Sequence, residues 1–375
     1  MIDLFDRTVN VANKNAIDDI IISGQVCVIL ISAITVKLQI IDRVSFKAVA
    51  IIALIVISLL IFGWSLMVWM PGESYHQALP TLTATELKLQ DRLKSDVETL
   101  AIKSGRRNFD SYQNLVAAKD FLTTELTQAG YKIQEQKYTI GDKTFSNLAV
   151  EIPGSSRADE ILVIGGHYDS AFNTLGANDN ATGAAAVLAL AREFVGTKPL
   201  RTLRFVEFTN EEPPYFQTKN MGSFVYAQAA KQRGDKIVGM FSLETLGYFT
   251  DKANTQKYPL PLSLLYPNQG NFIGFISDID SRELLRNTIR SFRAQAKFPA
   301  EGVALPSAIQ GVGWSDQWSF WQQGYQALMI TDTAPFRYPY YHTGADTVDK
   351  IDFEKLARVT NGISKVIRDF VGLES

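Results

Sequence analysis

The run Ile161-Leu162-Val163-Ile164-Gly165-Gly166-His167 decides the fold. From Ile161 to Gly165 it is apolar or small at every position. That predicts a strand covered on both faces, because a sheet with one wet face alternates apolar with polar side chains. An Ala-rich segment with helical spacing follows from Thr182 to Phe194, and then a second strand from Thr202 to Thr209. Downstream the alternation continues: helix Gly222 to Lys231, strand Ile237 to Leu243, helix Asp280 to Ala296, strand Ala327 to Thr331. A closing helix from Phe353 to Val371 is capped by Asp352. This order predicts an α/β fold with a mixed, largely parallel central sheet and helices on both faces.

Upstream, Thr83 and Glu86 have the spacing of a capping box, which starts the soluble domain near Thr83. Ala84 to Ile102 and Ser111 to Ala129 carry helical spacing, the second between Asp110 as N-cap and Gly130. Tyr131 to Ile140 and Thr144 to Ile152 read as strands joined by a turn at Gly141 and Asp142. Thr250 to Asn271, with Pro259, Pro261 and Pro267, has little regular pattern and the length of an active-site lid.

From Ala48 to Met70 no charged residue occurs, and the composition is mostly Ile, Leu, Val, Phe and Trp. Such a helix crosses roughly 30 Å of hydrocarbon, so 48–70 is read as a transmembrane span. Lys37, Arg43 and Lys47 precede it and no Lys or Arg follows until Lys88, which puts its N-terminal end in the cytoplasm and the C-terminal bulk outside. The shorter apolar run Ile20 to Val36 holds Ser23, Gln25, Ser32 and Thr35 and reads as either a second span or an interfacial helix. The expected organisation is a membrane anchor and connector over 1–82 and a catalytic domain over 83–375.

Lys and Arg total 37 against 39 Asp and Glu, a net charge of −2, so no electrostatic argument favours a nucleic-acid partner. The one cysteine, Cys27, lies in an apolar stretch and offers neither an intrachain disulfide nor a thiolate metal site. Any metal must be held by nitrogen and oxygen. The candidates leave the carboxyl ends of the apolar strands: His167 after the first, Glu211 and Glu212 after the second, Glu244 after the third. In open α/β sheets that edge is where ligand crevices form. Asp179 lies in the turn Gly176-Ala177-Asn178-Asp179-Asn180-Ala181-Thr182-Gly183, whose small residues allow close backbone approach, and His342 lies on another turn-like segment.

Singly, each has an ordinary explanation. His167 alone is a hydrogen-bonded histidine, Asp179 a helix N-cap, and Glu211-Glu212 before Pro213-Pro214 a solvated turn. Glu244 is harder to dismiss, because an unpaired carboxylate ending an apolar strand is costly. Several strand-end acids with almost no basic neighbours in sequence point together to a binuclear metal hydrolase site.

At these residues the chain resembles the di-zinc aminopeptidase family, zinc exopeptidases of leucyl and aminopeptidase Y type that are related to glutaminyl cyclases and glutamate carboxypeptidases. The matching pieces are Gly166-His167-Tyr168-Asp169-Ser170, Asp179-Asn180-Ala181-Thr182-Gly183, Asn210-Glu211-Glu212, Ser242-Leu243-Glu244, Ser315-Asp316 and Tyr341-His342-Thr343, in the family's order. The resemblance implies two Zn²⁺ per chain, one held by His167, Asp179 and Glu244, the other by Asp179, Glu212 and His342, with Asp179 bridging. It further implies that Asp169 orients His167 and that Glu211 is the general base toward a metal-bridging water. Tyr341 would stabilise the oxyanion. A non-proline cis peptide after Asp179 is expected on the same ground. Two positions depart from the pattern: Glu244 stands where most known members have Asp, and Gln317 where relatives often have His.

The expected function is a membrane-anchored di-zinc aminopeptidase that acts on peptide or protein N-termini on the non-cytoplasmic side of the cell membrane, bound to the bilayer by its N-terminal helix. A glutaminyl cyclase-like zinc acyltransferase and a non-catalytic membrane scaffold on the same fold are the alternatives. Tyr341 argues against the first, since cyclases typically carry Trp there. Retention of a coordinating side chain at all five ligand positions argues against the second.

Overall fold

The structure is a computed structural model that describes residues 46–373 and, ahead of them, Ser32. The segment Ile20 to Val36 therefore lies outside the described residues, Ser32 apart. The chain divides at Trp64 and Ser65 into two units, and everything below concerns the second, Ser65–Ser375, unless stated.

The apolar segment is helical: α1 runs Phe46–Met67, all but its last three residues in the first unit, and its Ala48–Met67 stretch is long and apolar enough to cross a membrane. It ends three residues before the expected Met70. None of the residues in that stretch is fully buried, and Ile51, Leu54, Leu59 and Phe62 are all more than half exposed.

The second unit opens with α2 (Ala84–Glu98), α3 (Tyr112–Gln128) and the hairpin β1 (Gln134–Ile140) and β2 (Lys143–Ile152). β3 (Arg157–His167), α4 (Gly183–Phe194), β4 (Arg201–Phe208), α5 (Gly222–Arg233) and β5 (Lys236–Glu244) follow. Then come β6 (Ile273–Ser277), α6 (Arg282–Gln295), β7 (Ala300–Ala304), α7 (Gln317–Gln322), β8 (Ala327–Thr331) and α8 (Phe353–Val371). The eight strands make one sheet in the order β1-β2-β4-β3-β5-β8-β6-β7. β4, β3, β5 and β8 are parallel neighbours; β2 and β6 flank them antiparallel. The expected mixed, largely parallel sheet is present.

Two caps formed as the sequence predicts. Thr83 and Glu86 exchange hydrogen bonds at 2.8 and 3.2 Å, and Asp352 accepts the N–H of Lys355 at 3.0 Å. Each such cap stabilises its helix by about 1 kcal/mol. Asp110 is not the cap of α3; Asn108 instead accepts the N–H of Ser111.

Both faces of the inner strands are buried, so successive side chains feed two cores. Leu162 and Ile164 of β3, Phe205 of β4 and Phe241 of β5 point into the larger core, with α4 and α8. Val163, Val206 and Met240 point the other way, against Tyr226, Ala227 and Ala230 of α5 and Phe320 of α7. β1, an edge strand, is mostly exposed. α4 lies close on the sheet because its first residue has no side chain: a Cβ on Gly183 would come 2.2 Å from the carbonyl oxygen of Leu243. Residues 65–80 also belong to this unit: Arg293 of α6 donates to the carbonyl of Gly72 at 3.0 Å, and Ser74 accepts the N–H of Ala300 at 2.9 Å.

Candidate metal centre

The C-terminal edge of the parallel strands brings the candidates together. β3 ends at His167 and β5 at Glu244; Glu211 and Glu212 follow β4; Asp179 sits in the wide turn Ala177–Thr182 that enters α4; His342 comes from the loop after β8. Asn210 (φ 57°), Thr245 (φ 45°) and His342 (φ 56°) are left-handed without being glycine, and each is a candidate or its chain neighbour. Such conformations persist only where the surroundings over-determine them, and they cluster at working sites. At Thr245 the partners are visible: its N–H donates to Asn180 Oδ1 at 2.9 Å and its carbonyl accepts the N–H of Asp332 at 2.7 Å. The peptide from Asp179 to Asn180 is cis, as expected.

Two donor sets share one residue. His167, Asp179 and Glu244 form the first, and Asp179, Glu212 and His342 the second, each with one donor atom per residue within 4.8 Å of the others. His167 Nε2 lies 3.5 Å from Asp179 Oδ1 and 3.2 Å from Glu244 Oε2. His342 Nε2 lies 3.0 Å from Asp179 Oδ2 and 3.2 Å from Glu212 Oε2. All but His342 are buried.

Whether these side chains suit metal ions is decided by their lone pairs. Asp179 Oδ2 is buried and makes no hydrogen bond although His342 Nε2 is only 3.0 Å away, and Glu212 Oε1 is likewise without a partner. Donor atoms aimed at a shared point instead of at one another are what a cation requires, and a buried carboxylate without a partner is otherwise costly. Imidazole nitrogen with carboxylate oxygen is a zinc donor set. The residues fit.

Charge tells the same story. Burial holds the carboxyls of Glu211 and Glu244 above the usual range and raises Glu212 to about 7. Burial also opposes ionisation of Asp179, but His167 and His342 more than offset it and hold that group below the usual range. For the histidines burial disfavours the cation and the facing carboxylates outweigh it, pushing His342 up to about 11 and His167 well above normal. This cluster is built to hold positive charge.

Asp169 does more than sequence reasoning assigned it. Its Oδ1 lies 3.4 Å from His167 Nδ1, and its two oxygens accept the main-chain N–H groups of Glu211 and Glu212, each at 3.1 Å. One carboxylate thus ties a histidine to the turn that carries both glutamates. Ser315 donates to Glu244 Oε2 at 2.7 Å. Asp346 accepts the N–H groups of Asn178 and Asp179 at 2.8 and 3.1 Å and the hydroxyl of Tyr338 at 2.7 Å. Sequence reasoning missed Asp346, Asp332 and Arg107, since nothing local marks a loop acid or arginine as one that will be buried.

A cleft of about 590 Å³ opens on the donors, lined by Asp179, Glu211, Glu212, Pro213, Phe216, Glu244, Trp314, Tyr341 and His342. Beside it an apolar recess of about 300 Å³ is lined by Ile276, Met329, Phe336, Trp314 and Tyr341 among others. Tyr341 stacks on His342 with ring centres 3.9 Å apart. Trp318 packs at a tilt against Phe224, and Phe320 is core. The proline-rich segment Thr250 to Asn271 lines neither space; its residues 256–266 cover an apolar cavity against β6 and β7 that shares Ile276, Thr333 and Phe336 with the recess.

The model of peptidase family M28 matches residues 147–367, and all five candidate ligands fall within that match. The uncharacterised protein YfbL of Escherichia coli is 31% identical over 282 residues, 73% of this chain and 86% of that one. Among solved structures, the zinc aminopeptidase BSAP of Bacillus subtilis superposes with a TM-score of 0.61 at 13% identity, covering 80% of this chain and 97% of that one. A glutaminyl cyclase of Fimbriiglobus ruber superposes at 0.56 with 19% identity, 80% of this chain and 99% of that one. The chain belongs to peptidase family M28. It is a zinc-dependent metallopeptidase, with donor sets for two ions.

Proposed function

We propose that this chain is a membrane-anchored di-zinc aminopeptidase, with residues 1–82 as anchor and connector and 83–375 as catalytic domain. The observation that carries the reading is the pair of three-residue donor sets joined through Asp179 at the end of a cleft that also holds Glu211 and Tyr341. His167, Asp179 and Glu244 hold one ion, and Asp179, Glu212 and His342 the other.

Two bound zinc ions supply an acidified water and a polarised scissile carbonyl. Glu211 belongs to neither donor set, yet it lines the cleft with its Oε2 3.8 Å from His167 Nε2. It takes the proton from the attacking water and delivers it to the leaving amine. Its carboxyl lies within the cleft beside both donor sets, in reach of a water held between them. Asp169 keeps Glu211 in place through the main chain, and Tyr341 donates its hydroxyl to the developing oxyanion. The cleft lined by Pro213, Phe216, Trp314 and Tyr341 beside these donors is where the N-terminal residue of a peptide would sit.

The anchor is α1: its apolar length, its bare flanks and the Lys37, Arg43 and Lys47 that precede it support a span with the catalytic domain on the non-cytoplasmic side. Both an aminopeptidase and a glutaminyl cyclase share this fold, so the fold does not choose between them. Two complete donor sets, and tyrosine in place of tryptophan before His342, favour the aminopeptidase.

The deciding assay offers the zinc-loaded protein matched peptides with free and acetylated N-termini, together with a peptide beginning in glutamine. Release of the first residue from free termini alone is expected. Cleavage of acetylated peptides, or cyclisation of the glutamine without release, would replace the proposal.

A further inference from the structure

Arg107 is fully buried, and it heads the largest side chains hidden from solvent. It lies between α2 and α3, outside both donor sets. Its guanidinium spends its donors on main-chain carbonyls: Nε on Tyr168 at 2.8 Å, Nη2 on Gly176 at 2.9 Å, and Nη1 toward Leu175 at 2.6 Å, Leu100 at 2.9 Å and Gly105 at 3.1 Å. Its own backbone pairs with Ser170 both ways: Arg107 N–H donates to Ser170 Oγ at 3.1 Å, and Ser170 N–H to the Arg107 carbonyl at 2.8 Å.

Three of those carbonyls mark out one loop. Tyr168 directly follows His167, and Leu175 and Gly176 directly precede the turn that carries Asp179. The contact at Gly176 is so close that a Cβ there would stand 3.0 Å from Nη2. Among the described residues Arg107 has no ion pair; carbonyl oxygens accept all its donors, while the carboxylates of Asp169, Asp346, Asp179 and Glu212 act on its charge from farther off. A neutral side chain would avoid that desolvation cost, which makes the fork of donors the feature worth having.

We propose that Arg107 is a positioning residue of the metal centre, clamping both ends of the loop between His167 and Asp179 so that the two residues face one point. Because Asp179 belongs to both donor sets, a slack loop weakens both. The inference rests on the two-zinc reading and assigns this chain's own residue a part in it.

The sign of the effect on zinc separates this role from two simpler ones. A guanidinium acting only as a nearby positive charge repels the cations, so Arg107→Met would bind zinc more tightly. A guanidinium acting only as core would leave zinc affinity unchanged at equal loss of melting temperature. As a clamp, both Arg107→Met and Arg107→Lys weaken zinc, since lysine keeps the charge but has three donors in no planar fork.

The test titrates zinc into the metal-free full chain in detergent against a fluorescent chelator, beside Leu122→Ala, a cavity in α3 at a fully buried position. Tenfold or greater weakening of both zinc equivalents in the lysine variant, and in the methionine variant if it folds, is expected, with Leu122→Ala losing melting temperature alone. Wild-type affinity in Arg107→Lys, tighter binding in Arg107→Met, or equal weakening in Leu122→Ala overturns the clamp and leaves the two-zinc reading standing. A wild-type chain that takes up no zinc overturns that reading and the clamp with it.

Discussion

Ser315 donates its hydroxyl to Glu244 Oε2 at 2.7 Å, and the same oxygen lies 3.2 Å from His167 Nε2. The serine therefore fixes which way the end of Glu244 points. That matters because Glu244 carries one methylene more than the aspartate usual at this position among relatives it resembles, and a longer arm needs a stop. Ser315→Ala is expected to weaken one of the two zinc ions about tenfold and to leave the other near wild type, the range typical of a lost outer-sphere partner. A two-step chelator titration reads it; parallel loss of both ions, or of neither, would contradict the assignment.

Glu211 is expected to act on protons and not on metal. Glu211→Gln keeps shape and volume but has no basic oxygen to protonate, so turnover should fall by about 10² or more while two zinc ions remain per chain. Elemental analysis alongside steady-state rates decides it, and a variant that loses zinc together with activity would make Glu211 a ligand instead.

Asp169 bonds two N–H groups at once. Asp169→Asn keeps one acceptor oxygen and sets an amide NH₂ against the other N–H, so the Glu211-Glu212 turn loosens. A stability loss of about 1–3 kcal/mol is expected, with kcat falling more than KM rises, because the turn carries the base and a metal ligand, groups that act on the reacting atoms. Denaturant melts and kinetics measure the two separately; an unchanged kcat would show that the turn holds itself.

Asp316 is fully buried, and burial raises its carboxyl to about 7. In the unfolded chain it titrates near the ordinary 3.8. Between those values the native state holds a proton that the unfolded state has released, so stability falls as pH rises, at about 1.4 kcal/mol per unit where the difference is complete. Below pH 4 the penalty is absent and above 7 it is constant. Metal-free Asp316→Asn should therefore show a flatter decline in melting temperature from pH 4.5 to 7 than the metal-free wild type. Parallel curves would assign the slope to other groups.

How much of this was legible in the chain depends on the range of the interaction. The bounds of β8 and α8 read directly, because a compact apolar run and an Asp352 cap are local signals. β6 and β7 did not read at all. Ile273-Gly274-Phe275-Ile276-Ser277 and Ala300-Glu301-Gly302-Val303-Ala304 are short and glycine-bearing, and they become strands because β8 and then β6 offer them edges. α7 is a six-residue helix with no periodicity to detect.

The linear order of residues determined that His167, Glu211, Glu212 and Glu244 stand at the ends of apolar strands, where an α/β sheet places a crevice, and that a strongly apolar segment precedes the domain. Only the tertiary structure decided that Asp179 lies between two histidines, that Asp169 bonds the turn of Glu211 and Glu212, and that a buried Arg107 spans the loop in between. The division has a physical cause. Strand burial and helix capping act over a few neighbours and leave a periodic trace, whereas a hydrogen bond between residues 61 apart, as from Arg107 to Tyr168, depends on a path through space that no local pattern encodes.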